Sequence, residues 1–156
     1  MRTKSREYRK GDAFDSKFDV LLLPVLWEQS FIEVYPYLFI RDEKHGKDLV
    51  YFDVEERSFI VHVSYKPNYM HEIDDLYQHY EKESLGAFSY LTPGRMIHKP
   101  KEYQCNTTKK RDHSFNIVKK GLSDVAFQWL VSLRDPVKYV ETVSQDALIQ
   151  RVNPHL

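Results

Sequence analysis

The stretch 48–65, "DLVYFDVEERSFIVHVSY", constrains the fold more than any other part of the chain. Apolar residues recur at every second position on both sides of Glu56-Arg57, and side chains alternate between faces along a strand. With Glu56-Arg57 as a two-residue turn, Val54 lies opposite Phe59, Phe52 opposite Val61 and Val50 opposite Val63. One face of the hairpin is then apolar, while Tyr51, Asp53, His62 and Ser64 share the other. A slip of one residue would mix the faces, so burial of one side selects this register.

The flanking segments extend the hairpin. Residues 31–40, "FIEVYPYLFI", read as a further strand with Ile32, Val34, Leu38 and Ile40 on one parity; Pro36 marks an edge or a bulge. The turn "DEKHGKD" (42–48) contains Gly46, which is free to take a positive φ. Residues 31–65 thus form an antiparallel meander. Upstream, "FDVLLLPVLW" (18–27) has β-branched and aromatic character. Pro24 lacks an N–H there and points to an edge strand or a break. Residues 1–15 are almost devoid of apolar side chains and read as an extended arm.

Downstream, Asn68 is placed to cap a helix over 69–83, with Ile73, Leu76, Tyr77 and Tyr80 on its apolar face. "AFSYL" offers a short strand before a turn at Thr92-Pro93-Gly94. Residues 95–116 are polar, basic and poorly periodic, and read as a long loop with one strand around "EYQC". Ser123 and Asp124 open a helix whose apolar face is Val125, Ala126, Trp129, Leu130 and Leu133; Asp135-Pro136 open a second. The expected architecture is one α+β domain over 16–156, after a basic arm over 1–15. It comprises an antiparallel β-meander (about 31–65), an amphipathic helix (about 69–83) and a C-terminal helical pair (about 123–152).

Composition bounds the function classes. A chain of 156 residues is one domain by size. Its one cysteine, Cys105, excludes an intramolecular disulfide or a cysteine metal cluster, and fits a reducing cytoplasm or a particle assembled there. The basic N-terminus is not followed by an apolar stretch of signal-peptide length. The longest apolar run, 20–27, is interrupted by Pro24 and too short to span a bilayer, so no membrane association is expected.

The net charge is zero, but the charge is segregated. Residues 1–10 carry five basic groups against one acid, and residues 94–120 carry eight against two. The acidic surplus lies in 11–57 and 71–83. "GRMIHKPKEYQCNTTKKRDHSFNIVKK" combines cations, which neutralise phosphates or carboxylates, with His98, Tyr103, His113 and Phe115, which can stack on bases.

Four catalytic or metal readings compete with this one. Ile60-Val61-His62-Val63-Ser64-Tyr65 resembles one His-x-Ser arm of the two-histidine phosphoesterases. That resemblance implies a general base at His62 and a phosphate-holding hydroxyl at Ser64. The second arm has no counterpart, since neither His98 nor His113 is followed two residues later by Ser or Thr. A metal-dependent nuclease could draw on Asp48, Asp53, Glu55 and Glu56 near the hairpin. His71 with Asp75, and His79 with Glu83, have ligand spacing on one helix, but no third ligand follows from the sequence. The surroundings of Cys105 match no nucleophile signature.

The sequence therefore favours a non-enzymatic binding or assembly protein, needing no cofactor or metal. Its expected contacts are Arg2, Lys4, Arg6, Arg9 and Lys10 in the arm, and Lys99, Lys101, Lys109, Lys110 and Arg111 in the 95–120 segment. The expected partner is an acidic protein or nucleic acid. The alternative is a small nucleic-acid-processing enzyme, a nuclease or phosphoesterase centred on Asp53, His62 and Ser64.

Overall fold

The computed structural model describes residues 13–68, 87–97 and 99–142. The described residues open with two short helices, α1 (Ala13–Leu21) and α2 (Leu23–Glu28). The strand or break expected over 18–27 is therefore helical, and Ala13, Phe14 and Asp15 belong to α1 rather than to an extended arm. Phe14, Phe18, Leu22 and Leu26 fall four residues apart and are all buried, which is one stripe of a helix. Pro24 lies in the first turn of α2, where its missing N–H costs no hydrogen bond. The helix ends without glycine. Ser30 takes a left-handed φ of 67°, its N–H reaches the Trp27 carbonyl, and the Phe31 N–H reaches that of Leu26. These two bonds form a Schellman closure.

A seven-stranded antiparallel sheet follows. Its strands are β1 (Ile32–Tyr35), β2 (Leu38–Glu43), β3 (Gly46–Val54), β4 (Ser58–Pro67), β5 (Ala87–Thr92), β6 (Arg95–Ile97) and β7 (Tyr103–Gln104). The first six are neighbours in chain order, and β7 pairs with the start of β4. The β3–β4 register is the one its parity selects: Val54 faces Phe59, Phe52 faces Val61 and Val50 faces Val63.

The segment 31–40 is two strands, not one. Pro36 and Tyr37 fold it back, and Ile32 pairs with Ile40. The left-handed Tyr37, with φ 62°, is held from three sides. Its N–H donates to the Glu33 carboxylate at 2.8 Å, its hydroxyl to Asp15 at 3.2 Å, and its ring packs against Phe14 and Phe18. The fold-back leaves Ile32 and Val34 exposed while Leu38 and Ile40 are buried.

Gly46 does not take the positive φ its turn suggested; Gly94 does, at 85°. Gly46 is needed because the chain passes close by. A Cβ there would lie 2.5 Å from the Lys66 carbonyl oxygen.

The segment 95–116, expected as a loop with one strand around "EYQC", has that strand as β7 but also contains β6 and the start of a helix. That helix, α3 (Thr108–Gly121), is capped by Thr107, whose side chain accepts from the Lys110 N–H at 3.1 Å. It runs through a π-helical stretch, Leu122–Ala126, into α4 (Phe127–Ser132). Ser123 thus lies inside a continuous helix instead of opening one. Asp135 does cap the next helical segment, accepting from the Val137 N–H at 3.0 Å, and residues 136–142 are helical. The expected helix over 69–83 and residues 143–152 of the helical pair lie outside the described residues.

The helices cover one face of the sheet. Phe14, Phe18, Phe39, Phe52, Phe59 and Phe115 meet there with ring centroids 4.9–6.4 Å apart, mostly edge to face. Leu38, Leu49 and Ser64, on the opposite face, are buried as well. No helix among the described residues is long and apolar enough to cross a membrane.

Candidate functional site

α3 converts a basic segment into a basic surface. Its inner side is fixed by Phe115 and Val118 in the core and by Ser114, whose hydroxyl donates to the Gln104 carbonyl at 2.6 Å. Lys109, His113, Asn116 and Lys120 then fall at i, i+4, i+7 and i+11, one stripe pointing to solvent, with Lys110 and Lys119 flanking it; all six are exposed. Fourteen residues make the helix about 21 Å long. Lys119 and Lys120 also sit in its last turn, where cations interact favourably with the helix dipole.

Arg111 is different from its neighbours. Its side chain is 13% exposed and lies 3.4 Å from Asp112, which also faces Lys17 of α1 at 3.9 Å. Arg111 is thus drawn onto Asp112 of its own helix, and Asp112 links α3 to α1. Lys99 and Lys101 are exposed in the approach to β7, with the Lys101 ammonium 5.7 Å from the Tyr103 ring centre. Arg2, Lys4, Arg6, Arg9 and Lys10 lie outside the described residues, as do His71, Asp75, His79 and Glu83.

The residues of the enzymatic alternative share a sheet face, as their parity requires. The His62 ring lies between Tyr51, at 5.5 Å, and Tyr90, at 4.9 Å. Burial lowers its pKa from 6.5 to about 4. The imidazole is therefore neutral near pH 7 and a weaker base than a solvated histidine. Ser64 is buried and Asp53 half-buried. Among the described residues no group of three or more His, Cys, Asp or Glu side chains is placed to hold a metal ion.

A second polar centre emerges only in three dimensions. Asp48 is fully buried, and its Oδ2 accepts from Arg41 Nε at 2.8 Å and from Arg134 Nη2 at 2.9 Å. Arg134 Nε also faces Glu43 at 3.6 Å, and Glu43 accepts from the Tyr65 hydroxyl. Burial, the Glu43 hydrogen bond and the charges of Glu43 and Asp48 hold that phenol above its ordinary pKa. Arg41 lies over the rings of Phe31, at 4.6 Å, and Phe127, at 5.8 Å, so its charge is packed as well as paired. The signal for this centre was present in part. Arg41 and Asp48 occupy the same parity as the core residues Phe39 and Val50, where a charge is out of place. Arg134, distant in sequence, gave no such signal.

The chain matches no family model, no curated protein and no solved structure.

Proposed function

We propose that this protein is a binding or assembly component, acting in the cytoplasm or in a particle assembled there. It docks an acidic protein or nucleic acid on the solvent face of α3. The observation that carries this reading is the stripe Lys109, His113 and Lys120, flanked by Lys110 and Lys119, on a helix whose other side is fixed in the core. A helix so fixed adds no backbone ordering cost when an anionic partner arrives, and a concentrated positive field steers encounter. Lys99 and Lys101 extend the surface toward β7; the N-terminal cations Arg2, Lys4, Arg6, Arg9 and Lys10 are the second contact in this reading. In this reading His62 is a packing residue between two tyrosines.

The test is binding of a single-stranded oligonucleotide and of an acidic peptide by the wild type and by a Lys109→Glu/Lys110→Glu/Lys120→Glu variant across a salt series. The wild type binds one of them with an affinity that falls steeply with salt. The variant binds at least about tenfold more weakly at low salt. Its salt slope is also shallower, by about 0.7 for each phosphate left unneutralised where the ligand is single-stranded nucleic acid. Unchanged affinity in the folded variant removes α3 as the docking surface.

A further inference from the structure

Beside the buried charge centre, a pocket of about 480 Å³ opens between the sheet end and the C-terminal helical segment. That volume falls within the range used for small organic ligands. Its walls are the rings of Tyr65, Tyr139, Pro67 and Pro136 and the side chain of Leu133; Arg134, His45 and Asn68 supply the polar groups. The two tyrosine rings meet edge to face, 6.0 Å apart, which gives the pocket a stiff aromatic corner.

Arg134 is the member of the charge centre that reaches this space. Its side chain is 30% exposed, against 12% for Arg41, 13% for Glu43 and 0% for Asp48. Asp48 engages Nη2 and Glu43 faces Nε, so both acids hold the guanidinium from one side. Nη1 has no hydrogen-bond partner among the described residues. A guanidinium presents its donors as a planar fork, so one edge anchored on a carboxylate leaves the other edge to meet an oxyanion.

The centre itself is balanced, with two guanidinium groups against two carboxylates. The β2–β3 turn brings the exposed His45 to the pocket mouth, and the Lys44 carbonyl accepts from the Asn68 side chain at 3.1 Å. Apolar walls and a fixed donor fork suit one class of ligand.

We propose that this pocket binds a small aromatic carboxylate, its ring against Tyr65, Tyr139 and the two prolines and its carboxylate on Arg134. The site is separate from α3 and does not depend on what α3 binds. The tyrosine corner and the prolines supply apolar contact that tolerates many rings, whereas the fork selects the acid.

Benzoate serves as the probe, with benzyl alcohol as its uncharged counterpart, in a titration followed by amide chemical shifts of the full chain. The expected result is saturable shifts at His45, Tyr65, Asn68, Arg134 and Tyr139, with a dissociation constant of about 1 mM or tighter. Benzyl alcohol binds at least about tenfold more weakly. Arg134→Lys keeps the charge but loses the fork, and weakens benzoate by about tenfold. Because Arg134 also supports Asp48, a second variant acts from the exposed rim: Asn68→Trp fills the mouth and removes the shifts while the fold survives. Equal affinity for benzoate and benzyl alcohol overturns the assignment of an acid. Absence of saturable shifts in the wild type, or shifts centred elsewhere, overturns the site.

Discussion

The His62 ring stands 5.5 Å from that of Tyr51 and 4.9 Å from that of Tyr90, and its pKa falls from 6.5 to about 4 through burial. This shift ties stability to pH in a definite direction. Between those two values the unfolded chain takes up a proton at His62 that the folded chain does not. Stability is therefore fully present above pH 6.5 and is lost as pH falls toward 4. At about 1.4 kcal/mol per pH unit the ceiling is roughly 3 kcal/mol, and solvent at the partly exposed ring lowers it to about 1–3 kcal/mol. His62→Phe keeps a ring between the tyrosines and removes the titration. Urea unfolding at pH 7 and pH 4 should show the variant losing less stability than the wild type, by about that amount. Equal losses would mean that His62 takes up its proton in the folded protein as it does in the unfolded chain.

At the scale of elements, the start of α3 offers a direct contrast. Sequence rules place a helix N-cap at Ser123; the fold places it at Thr107, whose oxygen accepts the Lys110 N–H. Thr107→Ala should cost about 1 kcal/mol of unfolding free energy. Ser123→Ala, at an exposed position inside the continuous helix, should change it by less than about 0.5 kcal/mol. Urea midpoints of the two variants check the pair, and a larger loss at Ser123 would show that the helix breaks at the π-helical stretch in solution. The same contrast explains what the sequence could disclose. The β3–β4 register was legible to the residue, because period-two apolarity permits one register, although each strand runs two residues beyond its expected end, to Gly46 and Pro67. α1 and α2 were hidden because Val20, Leu21, Leu23 and Val25 blur the stripe of Phe14, Phe18, Leu22 and Leu26. The usual glycine stop is also replaced by Ser30. The β1–β2 fold-back was hidden for a related reason: Tyr37 occupies a left-handed position usually given to glycine or asparagine, and tertiary packing of its ring holds it there. α3 carries few apolar residues, and its inner side shows only once Phe115, Val118 and Leu122 are seen to meet the sheet.

Across the whole molecule, the features split by range. The basic composition of 95–120 was legible, but its organisation as one helical face was not, since that depends on which side of α3 the core takes. The charge centre was half legible: Arg41 and Asp48 break the apolar parity of β2 and β3, while Arg134 arrives from 86 residues away. That distance gives the Asp48–Arg134 pair its role. It fastens the segment after α4 to the sheet, beside the apolar contacts of Leu130 and Leu133. Asp48 is fully buried between two guanidinium groups, so its removal leaves their charges uncompensated, which costs more than the pair contributes net. Asp48→Asn should therefore lower unfolding free energy by about 3 kcal/mol. Arg134→Met should cost less, because Arg41 still compensates Asp48 and the methionine stem retains packing. In the double variant the two losses should fall short of additivity by about 1 kcal/mol or more, as expected for residues in one network. Amide hydrogen exchange supplies the spatial readout. Protection in both single variants should drop first in 133–142 while β3 and β4 keep theirs, because the pair closes a contact outside the sheet ladder. Additive losses, or an equal drop in protection throughout the sheet, would place the pair's contribution in the general core and not in docking the C-terminal segment.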